Sequence, residues 1–173
     1  MVAGGHLTDP PTEDAYSGVV SLKSVRLAMF ITMHNGLQTA ACDIGNAYLE
    51  AMTREKLYAV AGKEFGLLAS KILVIRKALY RLKTSGERFH EWLSETLRAM
   101  GYRPSKADPD LWIKDMETYY SYIAAYCDNL LICNKSPQPM LEDYCKSTSS
   151  RGSAYQSSTL AVICNKSSQQ NQM

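Results

Sequence analysis

A chain of 173 residues, 46% hydrophobic and 21% charged, has the makeup of an ordinary globular domain. Its length excludes two large domains, its formal net charge of +2 excludes a strongly basic or acidic protein overall, and no apolar run reaches the roughly eighteen residues that span a bilayer. Five cysteines without a CxxC pair and three scattered histidines exclude a disulfide framework and a zinc centre of the usual spacing. With no signal peptide, the odd thiol count predicts an intracellular, cytoplasmic or nuclear setting, with Cys42 and Cys133 as buried free thiols.

In chain order, the first seventeen residues are rich in Gly, Pro, Thr and Asp and read as an irregular lead-in. From Ser21 a helix is predicted on Leu22, Val25, Met29 and Met33, spaced by three and four, and Asn35-Gly36 ends it. Leu37 to Ile44 reads as a strand, Asn46 to Met52 as a short helix, Leu57 to Val60 and Ile72 to Ile75 as short strands. The clearest helix runs from Ser85 to Met100, with Phe89, Trp92, Leu93, Leu97 and Met100 on one stripe and Gly101 as its stop. A turn through Asp108-Pro109-Asp110 leads to a strand over Leu111 to Lys114, and two further strands, Thr118 to Tyr126 and Leu130 to Cys133, flank an acidic tip. The order predicts an α+β fold with helices on one face of a largely antiparallel sheet. Residues 135–173, dominated by Ser, Gln, Asn, Thr and Lys, read as a low-complexity, disordered tail, which leaves 1–134 as the folded portion. Within that tail Ile163 to Ser167 repeats the Ile-Cys-Asn-Lys-Ser of Ile132 to Ser136.

Two acidic strand ends stand out. Asp43 closes one apolar segment, and Asp128 sits in Tyr126-Cys127-Asp128-Asn129 between two others. A pair of carboxylates held at the ends of adjacent strands suits metal-dependent phosphoryl transfer. Between Lys71 and Lys106, nine basic residues (Lys71, Arg76, Lys77, Arg81, Lys83, Arg88, Arg98, Arg103, Lys106) face three acidic ones (Glu87, Glu91, Glu95), an excess that fits either a polyanion-binding surface or a solvated helix face.

Four segments in fixed order sharpen this: Asp43-Ile44-Gly45-Asn46-Ala47-Tyr48, Lys77-Ala78-Leu79-Tyr80-Arg81-Leu82-Lys83, Gly101 to Asp110, and Tyr126-Cys127-Asp128-Asn129-Leu130-Leu131-Ile132. Together they closely resemble the reverse transcriptase of copia-type retrotransposons, over roughly Val2 to Asn134. The resemblance implies an incomplete right-hand polymerase, its fingers and an antiparallel palm sheet backed by helices. It implies two-metal synthesis of DNA from dNTPs on an RNA or DNA template-primer, with Mg²⁺ or Mn²⁺ held by Asp43 and Asp128. Asn129 falls at the second acidic position of the tip and completes the catalytic set. Ile44 and Gly45 resemble the turn beside the metals, where a backbone carbonyl can complete a coordination sphere. Tyr48 resembles the aromatic that selects the deoxyribose, and Tyr80 and Arg81 the segment beside the incoming nucleotide. Lys77, Lys83 and Arg88 resemble the stretch that supports the nucleic acid.

Four departures from the family pattern predict lost catalysis. Asn129 replaces the second aspartate of the tip, so the site is one negative charge short. Arg81 replaces a glycine that would allow close approach to a ligand. Basic residues that would precede Met1 are missing, and the tail does not resemble the remaining palm or thumb. The expectation is a degenerate reverse-transcriptase fragment; the alternatives are a non-catalytic nucleic-acid-binding module or a functionless relic.

Overall fold

The computed structural model describes residues 17–149 and 161–163, and they fall into two compact units. Residues 46–94, with Ser17, form one unit; residues 18–45, 95–149 and 161–163 form the other. The lead-in and the remainder of the tail, including the second Ile-Cys-Asn-Lys-Ser copy beyond Ile163, lie outside the described residues.

In the larger unit the chain enters through α1 (Leu22–His34), where Ser21 caps the helix by accepting from the Ser24 amide at 3.2 Å. Asp108 adds a second acceptor, taking the Ser21 amide at 2.9 Å. The helix ends where the sequence asks it to. Gly36 adopts φ +61°, Leu37 N donates to Thr32 O at 2.9 Å and Gly36 N to Met33 O at 3.3 Å, which satisfies two otherwise orphaned carbonyls. The far end of α2 (Ser85–Ala99) repeats the device. Gly101 stands at φ +85°, Tyr102 N bonds Leu97 O and Gly101 N bonds Arg98 O, both at 2.9 Å.

Six strands make one wholly antiparallel sheet: β4 (Arg103–Pro104), β5 (Leu111–Asp115), β6 (Tyr120–Tyr126), β7 (Asn129–Asn134), β1 (Gln38–Asp43) and β8 (Ala161–Ile163), in that spatial order. Side chains alternate across it. Leu111, Tyr122, Ala124, Leu131 and Cys133 share one face and pack with Val20, Val25 and Ala28 around α1. Ser121 and Asn134 point to the opposite face, where α3 (Pro137–Ser149) brings Met140 against both. Helices therefore cover both faces rather than the single face expected.

Two further expectations change. The apolar spacing located α1 but not its inward side. Val25, Ala28 and Thr32 face the sheet, while Leu22, Met29, Phe30 and Met33 are exposed, because small side chains let the helix approach closely. The expected disorder from residue 135 fails over α3, whose Met140, Leu141 and Tyr144 are buried despite the polar composition around them. Cys42 and Cys133 are buried free thiols, as expected.

The smaller unit is built on a two-stranded antiparallel hairpin, β2 (Met52–Val60) with β3 (Ile72–Lys77), and the first ten residues of α2. β2 is longer than the apolar Leu57 to Val60 core that betrays it. A single-turn 3₁₀ helix, Ala47–Glu50, precedes it, within the short helix expected there. Arg88 is buried (4% exposed), its guanidinium 3.0 Å from Glu87 and 2.9 Å from Glu91.

Candidate active site

β1 and β7 set the carboxylates. Their register places Asp43 directly opposite Asn129, so both side chains stand on one face of the sheet. β6 and β7 are joined by the two-residue loop Cys127-Asp128, closed by the Tyr126–Asn129 pair. Cys127 takes φ +50°, the sign that a type II′ hairpin turn needs at its first central position. A non-glycine residue in that region stores about 1–2 kcal/mol of strain. The loop is tied to β1 by a backbone bond, Ile44 N to Asp128 O at 2.8 Å. Main-chain contacts thus hold Asp43 and Asp128 at neighbouring strand ends.

Asn129 completes the arrangement in an unexpected way. Its Nδ2 donates to Asp128 Oδ1 at 2.9 Å. The Cys127 thiol beside them is pushed up, first by partial burial and then by the Asp128 charge, so it is a poor nucleophile. Among the described residues no group of three or more His, Cys, Asp or Glu converges on a point that could hold a metal. Two carboxylates, with the Ile44 carbonyl next to Asp43 in the chain, offer oxygen donors only. That chemistry fits a hard divalent cation such as Mg²⁺ or Mn²⁺.

The other residues singled out in the sequence lie in the smaller unit. Tyr48 packs against Tyr80 with ring centroids 4.7 Å apart, and meets Phe89 edge-on at 6.1 Å. Phe89 is buried and stacks at 5.8 Å on half-buried Trp92, so both serve packing, as the helix stripe implied. Tyr80 and Arg81 occupy the centre of a turn closed by Leu82 N to Leu79 O at 3.2 Å, and Arg81 takes φ +74°. Positive φ at the third residue of such a turn is the type II requirement that glycine normally meets. The glycine expected at position 81 therefore has a backbone reason as well as the ligand-approach reason read from sequence. Lys77, Arg81 and Lys83 are exposed. Arg88 is not: its charge is taken up by Glu87 and Glu91, and its expected role as a nucleic-acid contact is corrected to an internal ion pair.

Sequence reasoning passed over the work of Asp108 beyond its own turn. It accepts from Asp110 N at 3.1 Å, as a turn cap should, but also from Ser21 N, joining the turn to the start of α1. Burial pushes its carboxyl up, and hydrogen bonds from Ser24, Ser21 and Asp110 outweigh that and leave it below the ordinary aspartate value. A buried polar group of Tyr102, Ser121 and Asn134 also escaped notice. The Tyr102 and Ser121 hydroxyls lie 2.8 Å apart, and Asn134 Nδ2 donates to Ser121 Oγ at 2.9 Å. Burial pushes the Tyr102 phenol up to about 12.

Compared with known families, residues 2–164 match the model for reverse transcriptase (RNA-dependent DNA polymerase). The chain belongs to that family. The match runs past Asn134 through α3 and β8, so the tail that looked unrelated is part of it as far as residue 164. The chain is 23% identical over 143 residues to the Retrovirus-related Pol polyprotein from transposon RE1 of Arabidopsis thaliana, covering 79% of this chain and 10% of that protein. It is 25% identical over 139 residues to the Transposon Ty1-MR1 Gag-Pol polyprotein of Saccharomyces cerevisiae, covering 79% of this chain and 8% of that protein. It thus corresponds to a reverse-transcriptase segment, a tenth or less of the length of these retrotransposon polyproteins.

Proposed function

We propose that this chain carries the catalytic-centre segment of a copia-type RNA-directed DNA polymerase, and that its own centre does not turn over. The observation that carries the reading is the Asp43–Asn129 register with Asp128 at the adjoining tip, in a chain of the reverse transcriptase family. On this reading the six-stranded sheet is palm and the β2–β3 unit is fingers. Asp43 and Asp128 bind the divalent cation, and a cation held there would neutralise the triphosphate and ease deprotonation of a primer hydroxyl. Tyr48, with its ring braced by Tyr80, would meet the sugar of an incoming dNTP and reject a 2′-hydroxyl by contact. Lys77 and Lys83 would meet the phosphates of the template-primer.

The loss of turnover follows from the tip. Asn129 supplies no negative charge where the chemistry concentrates positive and negative charge together, and Arg81 strains the turn beside the nucleotide segment. Primer extension by the purified chain on an RNA template with dNTPs and Mg²⁺ or Mn²⁺ tests this. The expected result is no product above that of Asp43→Ala. Extension that Asp43→Ala abolishes would overturn the loss of turnover.

The exposed cations Arg76, Lys77, Arg81 and Lys83 favour a second reading, a non-catalytic nucleic-acid-binding module. Retention of an RNA–DNA duplex that weakens steeply with added salt supports it, and salt-independent or absent retention counts against it.

A further inference from the structure

Asn129 lacks a charge, but its position gives it a second effect. The amide nitrogen lies 2.9 Å from Asp128 Oδ1. The reversed amide would set two oxygens against each other, so the carboxylate itself dictates that the donor faces it. Asn129 also stands directly across the strand pair from Asp43, so this donor sits on the same face as the first carboxylate. The Ile44–Asp128 backbone bond holds the main chain of the tip in place.

We propose that Asn129 competes with a divalent cation for Asp128. Its N–H draws on Oδ1 and sets a partial positive charge beside the carboxylate, so the Asp43–Asp128 pair binds cations more weakly than the same two carboxylates would with no neighbour at all. The proposal rests on the polymerase reading only for the expectation that a cation is bound at this pair. It separates from a simple count of charges at one substitution. If Asn129 were merely a neutral residue, or a weak oxygen ligand, replacing it by Ala would leave binding unchanged or weaken it. If it competes, Asn129→Ala tightens binding.

Mn²⁺ titration followed by electron paramagnetic resonance, on the whole chain and on Asn129→Ala, Asn129→Asp and Asp128→Ala, decides the matter. The expected result is about a three- to tenfold lower Kd in Asn129→Ala, the size of one ordinary net hydrogen bond. Asn129→Asp tightens further by adding charge, and Asp128→Ala loses the site. Asn129→Val, donor-free and favoured in strands, repeats the measurement if Ala alters the circular dichroism spectrum. An unchanged or higher Kd in the donor-free variants overturns the proposal, as does the absence of Mn²⁺ binding in every variant. Primer extension is scored separately. Tighter Mn²⁺ binding in Asn129→Ala with no salt-sensitive duplex retention by any variant counts against the polymerase reading and leaves the competition standing. Extension by Asn129→Asp with unchanged Kd in Asn129→Ala does the reverse.

Discussion

The two units of this chain solve the burial problem differently. The larger one encloses Trp112, Ile123, Leu130 and Ile132 in a sheet covered on both faces. The smaller one buries mostly small residues, Ala47, Ala51, Ala61 and Ala78, with Leu82, Phe89 and Leu93, while Tyr58, Val60, Ile72 and Val74 stand exposed on one side of its hairpin. Area removed from water scales with stabilisation, so the first unit has far more to lose from a core truncation. The comparison teaches where sequence change is tolerated. The carboxylates sit on the well-buried framework, and the cations offered for nucleic acid sit on the sparser one.

Truncation tests the difference most directly. Trp112→Ala removes a ring that is 2% exposed and faces the Arg98 guanidinium at 5.4 Å, and should cost about 3–5 kcal/mol. Ile72→Ala, at a side chain 71% exposed, should stay within about 0.5 kcal/mol. Urea unfolding of both variants checks the pair; similar losses would erase the contrast between the units.

Asp108→Asn probes the larger unit through acid. The folded chain keeps this carboxyl ionised to a lower pH than the unfolded chain, so the unfolded state takes up its proton first. Its stabilisation is complete above the ordinary aspartate value of about 3.9 and drains away as pH falls through the lower folded value. The variant should be about 1 kcal/mol less stable near neutrality, the size of a lost helix cap, with the gap closing below about pH 4. A gap that widens in acid would refute the assignment.

The smallest expected effect is a gain in the other unit. Arg81→Gly relieves a residue held at φ +74° and should stabilise by about 1 kcal/mol or less, read as a higher thermal midpoint. No gain would mean that the turn has relaxed around arginine.

The chain boundaries that could be read from sequence were those written in a few adjacent residues. Asn35-Gly36 and Gly101 end helices because each needs only one residue at positive φ. The acidic tip was legible for the same reason, since hairpin and strand end are local. Features made by distant partners were not. A count of basic residues cannot show that Arg88 is spent on Glu87 and Glu91, nor that the larger residues of α1 point outward. α3 hid behind its Ser, Thr and Lys content because three residues, Met140, Leu141 and Tyr144, are enough to seat it. The donor role of Asn129 depends on a rotamer, which no spacing reveals.

The bond from Ile44 N to Asp128 O involves no side chain, so any residue but proline at position 44 can make it. Drift at the tip can therefore erase chemistry while the outline of the centre persists. A silent copy and a working one would share this main-chain contact, and ion binding and primer extension would tell them apart.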